Sequence, residues 1–188
     1  MVVAGIDPSL SNFGLAKGVV YSNALILTDI QLVTSESDKK NKKYVRKNSD
    51  DLNRAKQLIE GTRAFISDAD LIMVEVPIGS QSARAMASYG ICIGILAGLD
   101  KPMIQVTPEE VKVAATRKKT ATKQDMIDWA LQQYPQLPWL TRKRKGFMEY
   151  IAKNEHLADA IGAIHAGIQC ETFKQLVALN QGLKEYQP

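Results

Sequence analysis

Apolar and polar positions alternate along the chain in runs that predict its elements in order. Residues 2–6 are a short apolar run ending at Asp7-Pro8-Ser9, a turn signal, which reads as a strand. Two more strands follow at 13–21 and 24–33, paired as a hairpin about Ser22-Asn23. Residues 34–48 are polar and lysine-rich without periodicity, and are expected to form a mobile loop that orders on a partner. Ser49-Asp50-Asp51 then offers an N-cap and first-turn acids to an amphipathic helix carrying Leu52, Ala55, Leu58, Ile59 and Thr62 and running through Phe65 and Ile66.

The continuous apolar run 71–74, bounded by Asp70 and by Glu75-Val76-Pro77, predicts a buried parallel strand. Residues 80–99 read as a helix with Gly90, Gly94 and Gly98, whose spacing predicts close packing on a neighbouring element, or else a subunit contact. A strand at 103–106 precedes Thr107-Pro108-Glu109-Glu110, which opens a helix with proline in its first position and Glu at the capping-box position. Thr122 caps a further helix, with Met126, Ile127, Ala130, Leu131 and Tyr134 on one side, that stops before Pro135. A loop follows in which Trp139 is read as an anchor to the core; then come a long helix at about 147–170 and an amphipathic segment at 172–183. The order predicts an α/β chain, residues 1–188 in a single domain, with a mixed five-stranded sheet flanked by helices.

Composition narrows the class. With 45% hydrophobic and 23% charged residues the chain is neither collagenous, low-complexity nor wholly disordered. No run approaches the roughly 18–20 apolar residues of a membrane span, and the first apolar run is too short for a signal peptide, so a cytoplasmic protein with no membrane partner is expected. Cys92 and Cys170 lie far apart in apolar helical patterns and are read as two buried thiols. Net charge is only +4, but more than half of the basic residues fall in three segments. Lys39, Lys40, Lys42, Lys43, Arg46 and Lys47 form one, Arg117, Lys118, Lys119 and Lys123 the second, and Arg142, Lys143, Arg144 and Lys145 the third. Such runs favour phosphate binding through counterion release.

Three acids occupy positions where an ionised carboxylate is costly. Asp7 and Glu75 each end an apolar strand, and if those strands are parallel neighbours their tips converge. Asp159 lies mid-helix among Ala, Ile and Gly, with His156 three and Glu155 four residues before it on the same side. Clustered carboxylates need cations, and hard oxygen donors favour Mg2+ or Mn2+. Two such ions suit phosphodiester cleavage, which joins the acids to the basic runs. Taken singly, Asp7 also fits a turn cap, Glu75 an ion pair, His156 an ordinary hydrogen-bonded histidine, and Glu155 an exposed helical residue.

Gly5-Ile6-Asp7-Pro8-Ser9 with Gly14, Ile72-Met73-Val74-Glu75 at a strand end, and His156-Leu157-Ala158-Asp159-Ala160 in a late helix resemble the RuvC family of Holliday junction resolvases, along nearly the whole chain. The resemblance implies an RNase H-like fold, a homodimer, and two-metal cleavage of four-way DNA junctions without an organic cofactor. It implies Asp7, Glu75 and Asp159 as metal ligands, Asp7 bridging both ions, and His156 as fourth ligand or water-positioning base. It also implies Lys123, and less closely Lys112, as cations beside the scissile phosphate. By the same resemblance the protein would be nucleoid-associated in a bacterium or phage-encoded in a host cytoplasm. The chain departs from the family at Val76 and Ile78, where Gln and a junction-stacking aromatic are frequent, and its basic loop at 39–47 is longer, which suits other branched DNA as well. Two other classes stay open: a non-catalytic junction-binding protein, and an RNase H-like nuclease acting on RNA or RNA-DNA hybrids.

Overall fold

The structure is a computed structural model that describes residues 1–21, 24–37, 47–76, 79 and 81–185, with side chains described as far as residue 180. In order, the elements are β1 (Val2–Pro8), β2 (Asn12–Tyr21), β3 (Ala24–Thr34), α1 (Lys47–Phe65), β4 (Leu71–Glu75), α2 (Ala83–Ala97) and β5 (Met103–Val106). They continue with α3 (Pro108–Thr116), α4 (Lys123–Gln133), β6 (Thr141–Arg144), β7 (Phe147–Tyr150), α5 (Asn154–Gln169) and α6 (Glu171–Glu185). The main sheet has five strands in the order β3-β2-β1-β4-β5. Its first three strands pair antiparallel, and β1–β4 and β4–β5 pair parallel, as the pattern predicts.

Strand alternation divides the core in two. Val3 and Met73 point to one face, where they meet Val111, Met126, Leu157, Ile161 and Ile164 under α3, α4 and α5. Ala4, Ile6, Ile72 and Val74 point to the other, against Leu58, Cys92, Ile95 and Leu96 of α1 and α2. By the same period Gly5, Asp7 and Glu75 belong to the α5 face. Gly5 and Gly14 lie beneath that helix: a β-carbon on Gly5 would sit 2.0 Å from the Ala160 carbonyl oxygen, and one on Gly14 1.9 Å from that of His156. Only hydrogen at these two positions lets the helix backbone lie directly on β1 and β2.

Both capping boxes form. Thr107 pairs with Glu110 and Thr122 with Asp125, and Pro108 opens α3. Trp139 is 8% exposed and its indole N–H donates to the Tyr134 carbonyl (2.9 Å), so it is the anchor its position suggests.

Several boundaries differ from expectation. The stretch 147–170 is not one helix: Thr141–Arg144 and Phe147–Tyr150 form a two-stranded sheet, and α5 begins only at Asn154. Lys145 (φ 47°) and Gly146 (φ 90°) make a left-handed two-residue turn that no helix can continue through. Helix α1 begins at Lys47, so Ser49 lies inside it and is not its N-cap, and Asp51 is buried in a bidentate pair with Arg84 of α2 (2.5 and 2.7 Å). Helix α2 is shorter than 80–99 and is capped by Ser82. Gly90 and Gly94 meet nothing within 4 Å, so close packing within the chain does not explain them. Cys92 is buried but Cys170, at the end of α5, is only half-buried, where its sulfur accepts from the Phe173 N–H. The turn at residues 22–23, most of the basic loop including Lys39, Lys40, Lys42 and Lys43, and Ile78 lie outside the described residues.

A Gly5→Ala substitution is expected to destabilise the fold by about 3 kcal/mol, because the clash is with backbone that has nowhere to move. Urea denaturation of the variant beside the wild type measures it; an unchanged midpoint would show that α5 is not held this close.

Candidate metal centre

The ladder between β1 and β4 pairs Ile6 with Val74, which sets Asp7 and Glu75 side by side at the carboxyl ends of two parallel strands. Both face α5. The cleft there, about 370 Å³, is lined by Asp7, Pro8, Ser9, Glu75, Gly79, Tyr89 and Pro108. From above, α5 lowers Glu155, His156 and Asp159 toward the same strand ends. The His156 Nδ1–H donates to Asp7 Oδ2 at 2.6 Å, leaving Nε2 as the acceptor nitrogen of the ring. Nε2 lies 3.5 Å from the Asn12 side-chain amide and 3.8 Å from Glu155 Oε1. Thr34 Oγ1 donates to Asn12 Oδ1 (3.2 Å), which turns the Asn12 amino group toward the imidazole.

The acids repel one another in a half-dry space. Burial pushes Asp159 up to about 8, with the charges of Asp7, Glu75 and Glu155 adding to the rise. Burial and then Asp7 push Glu75 up to about 7. The positive charge of Lys112 acts the other way on both carboxyls. Lys123 Nζ sits 2.8 Å from Glu155 Oε2, an ion pair that holds its own pKa above the usual value, with further help from Asp159 and Asp7.

Asp7, Glu75, His156, Asp159 and Lys123 therefore gather at one place, and Glu155 joins them through Lys123 and His156. Neither the Glu75 nor the Asp159 carboxyl has a hydrogen bond or ion pair among the described residues. No three His, Cys, Asp or Glu side chains among those residues stand close enough together, as they lie, to hold one ion. The donor chemistry nonetheless suits a hard divalent cation: partly desolvated carboxyls without protein partners, raised by mutual repulsion, are groups a cation would neutralise.

The basic residues divide. Lys112 is half-buried and its charge acts on Glu75 and Asp159, while Arg117, Lys118 and Lys119 are exposed where α3 gives way to α4. Arg117 ends α3 in the left-handed region (φ 60°), and Lys119 pairs with Glu109. Arg142, Lys143, Arg144 and Lys145 form the outer strand and turn of the β6–β7 hairpin. Sequence reasoning missed Asn12, Tyr89 and Arg54. Arg54 binds the Leu10 carbonyl and the Ser11 and Ser35 hydroxyls (2.9 to 3.1 Å), fixing the loop that follows Asp7. A lone Arg on a helix gave no sign of this.

A mixed five-stranded sheet in this order, with α5 across its centre, defines an RNase H-like fold of the RuvC type. Thermus thermophilus RuvC in complex with Holliday junction substrate is similar over 95% of this chain and 96% of its own, with a TM-score of 0.60 and 20% identity. Another Thermus thermophilus RuvC structure gives a TM-score of 0.60 at 19% identity, covering 95% and 97% of the two chains. The Fowlpox virus resolvase complexed with Holliday junction DNA matches 94% of this chain and 99% of its own, with a TM-score of 0.51 and 17% identity. No protein-family model matches the chain, and no curated protein sequence does.

Metal-free protein is expected to lose stability as pH rises. Asp159 and Glu75 keep their protons in the folded state above the pH at which an unfolded chain releases them, so the stabilisation is complete in acid and lost between about pH 4 and the folded values near 7 and 8. Melting temperatures in chelator should fall from pH 5 to pH 8, with Asp159→Asn flattening the slope. A slope unchanged by that substitution would remove the buried carboxyl as its cause.

Proposed function

We propose that this protein is a metal-dependent endonuclease that cuts four-way DNA junctions, and other branched DNA, by hydrolysis of a phosphodiester. The observation that carries the reading is the convergence of Asp7, Glu75 and Asp159 beneath α5, two of them raised toward neutrality by burial and by each other, with Lys112 and Lys123 at the edge. The likeness to structures of RuvC and of a viral resolvase bound to Holliday junctions supports the choice of substrate.

Asp7, Glu75 and Asp159 would hold two divalent ions, Mg2+ or Mn2+, Asp7 being the acid whose charge acts on both of the others. When bound, such ions lower the pKa of the attacking water and offset charge on the departing oxygen. The protein's own groups do the rest. The imidazole of His156 is fixed by its Nδ1–H bond to Asp7, and its Nε2, 3.5 Å from the Asn12 amide, would serve as a ligand or as the acceptor of a water proton in exchange for that weak bond. Asn12 orients that ring from the other side. Lys123 is 78% exposed despite its bond to Glu155, so its ammonium is open to a phosphate while staying beside the acids. Lys112, at the edge, counters the negative charge of Glu75 and Asp159. Arg117, Lys118 and Lys119 extend the positive surface along the DNA.

A homodimer follows from the same reading, since symmetric incision needs two cleft copies. Helix α2 carries an exposed apolar strip with no charge, in which Ile93 is 47% exposed and Gly90 and Gly94 leave open space above the backbone. A second copy of that helix fits this strip, because facing glycines permit close backbone approach.

A labelled four-way junction tests the proposal. Asp7→Asn should lower cleavage at least ~100-fold while leaving junction binding intact, and Ile93→Glu should turn a dimer into a monomer in sedimentation and abolish paired nicks. Full activity in Asp7→Asn would refute the site. Shifted junction bands without metal-dependent nicking by the wild type would make the protein a binder, and preferred cleavage of an RNA-DNA hybrid would change the substrate.

A further inference from the structure

The β6–β7 hairpin has no role in the core. Of its eight strand residues seven are exposed, only Glu149 being half-buried, so neither face is packed on the molecule. An isolated two-stranded hairpin is marginal in water, and this one also holds Phe147, Met148 and Tyr150 at 76%, 65% and 55% exposure. Apolar surface of that kind, kept in solvent beside charge, marks a contact site.

Register sorts the two faces. Arg142 pairs with Glu149 and Arg144 with Phe147, so these four share one side, while Lys143 and Met148 share the other with Thr141 and Tyr150. Four cations stand against the single carboxylate of Glu149, which lies 3.8 and 3.9 Å from the two guanidinium groups and satisfies neither closely. At the tip, the left-handed pair Lys145 and Gly146 matches a tight hairpin turn, and Phe147 follows it directly, paired across the ladder with Arg144.

The root is rigid. Asn154, fully buried, accepts from the Leu140 N–H (3.0 Å) and donates to the Leu140 carbonyl (2.9 Å), and the Ile151 N–H donates to that carbonyl as well (3.2 Å). Asn154 is the first residue of α5, and Glu155, His156 and Asp159 follow it. The hairpin and the cleft are thus fixed to one helix end. Four strand residues at about 3.3 Å each carry the tip roughly 13 Å from that clamp, about four base steps of DNA.

Resting on the reading of the cleft as a branched-DNA nuclease site, we propose that this hairpin is a branch-sensing ribbon. Phe147 stacks on a base left unstacked at the branch point, and Arg142, Arg144 and Lys145 hold the flanking phosphates. Cations for the backbone and an exposed ring for a base face are the paired chemistry of nucleic-acid binding, and apolar wedges at base steps are a known means of recognising distorted DNA. Charge complementarity selects DNA over an acidic protein surface because the ring stands at the tip among the cations.

The test uses full-length protein carrying Asp7→Asn, so that DNA stays uncut, with a labelled four-way junction and a linear duplex of the same sequence. Phe147→Ala should weaken junction binding about 10-fold and duplex binding less than about 2-fold, with Phe147→Trp restoring the difference. Arg142→Gln with Arg144→Gln should weaken both and reduce the salt dependence by about two phosphate contacts. Unchanged melting temperatures would show that the fold is intact, as expected for a ribbon outside the core. If Phe147→Ala binds junction as tightly as its parent, or loses duplex binding equally, the ribbon does not sense branches, while the nuclease assignment stands. If the parent protein binds neither junction nor duplex and the wild type cuts neither, the assignment itself fails and the ribbon's role with it.

Discussion

Contact between the backbone of α5 and the floor of the sheet is the constraint from which the site follows. Two missing β-carbons, at Gly5 and Gly14, let the helix lie on β1 and β2 without side chains between them. A side chain at either position would have to push the Ala160 or His156 backbone away from the strands, and with it the helix that brings His156 to 2.6 Å from Asp7. The cost is a helix face made of small residues, where Ala160, Gly162 and Ala163 bury little apolar area each. Ile161 and Ile164, both fully buried, recover part of it.

That closeness creates an electrostatic problem that the protein solves only in part. Asp7 finds the imidazole N–H, and Glu155 finds Lys123. Glu75 and Asp159 find no partner among the described residues, and burial raises both. Their position differs from that of Asp51, also buried, whose carboxylate is met by both nitrogens of the Arg84 guanidinium and held below the usual carboxyl range. The chain supplies a full counter-ion to an acid that joins two helices and withholds one from the acids in the cleft. Buried carboxyls without protein partners, raised in this way, mark a candidate functional site, and under the proposed reading their counter-ions would come from outside the chain.

Much of this was legible in local pattern. The Thr107–Glu110 capping box, the Thr122 cap and the parallel strand before Glu75 depend on residues a few positions apart, and each formed where the spacing put it, while the second box, through Asp125, was not foreseen. The nearness of Asp7 and Glu75 was readable on the condition that their two apolar strands are parallel neighbours, a condition the β1–β4 ladder meets. The hairpin at 141–150 was not, since Phe147, Met148 and Tyr150 run on into Ile151 and the apolar face of α5 and so extend its helical pattern. The available signal was Lys145-Gly146, a dipeptide suited to a left-handed turn. Asn12 and Arg54 were invisible for a different reason: each acts on a segment distant in sequence, on His156 in one case and on the loop after Asp7 in the other. Glycine spacing in α2 suggested close packing on a neighbouring element, and among the described residues Gly90 and Gly94 meet none.

Crystals grown with Mn2+ and measured at the manganese absorption edge test the central claim most directly. The expected result is anomalous density for two ions bounded by Asp7, Glu75 and Asp159, with His156 Nε2 within coordinating reach and no such peaks in Asp7→Asn crystals. Absence of manganese from the cleft at millimolar concentration, with those carboxyls still protonated or turned to protein partners, would contradict it.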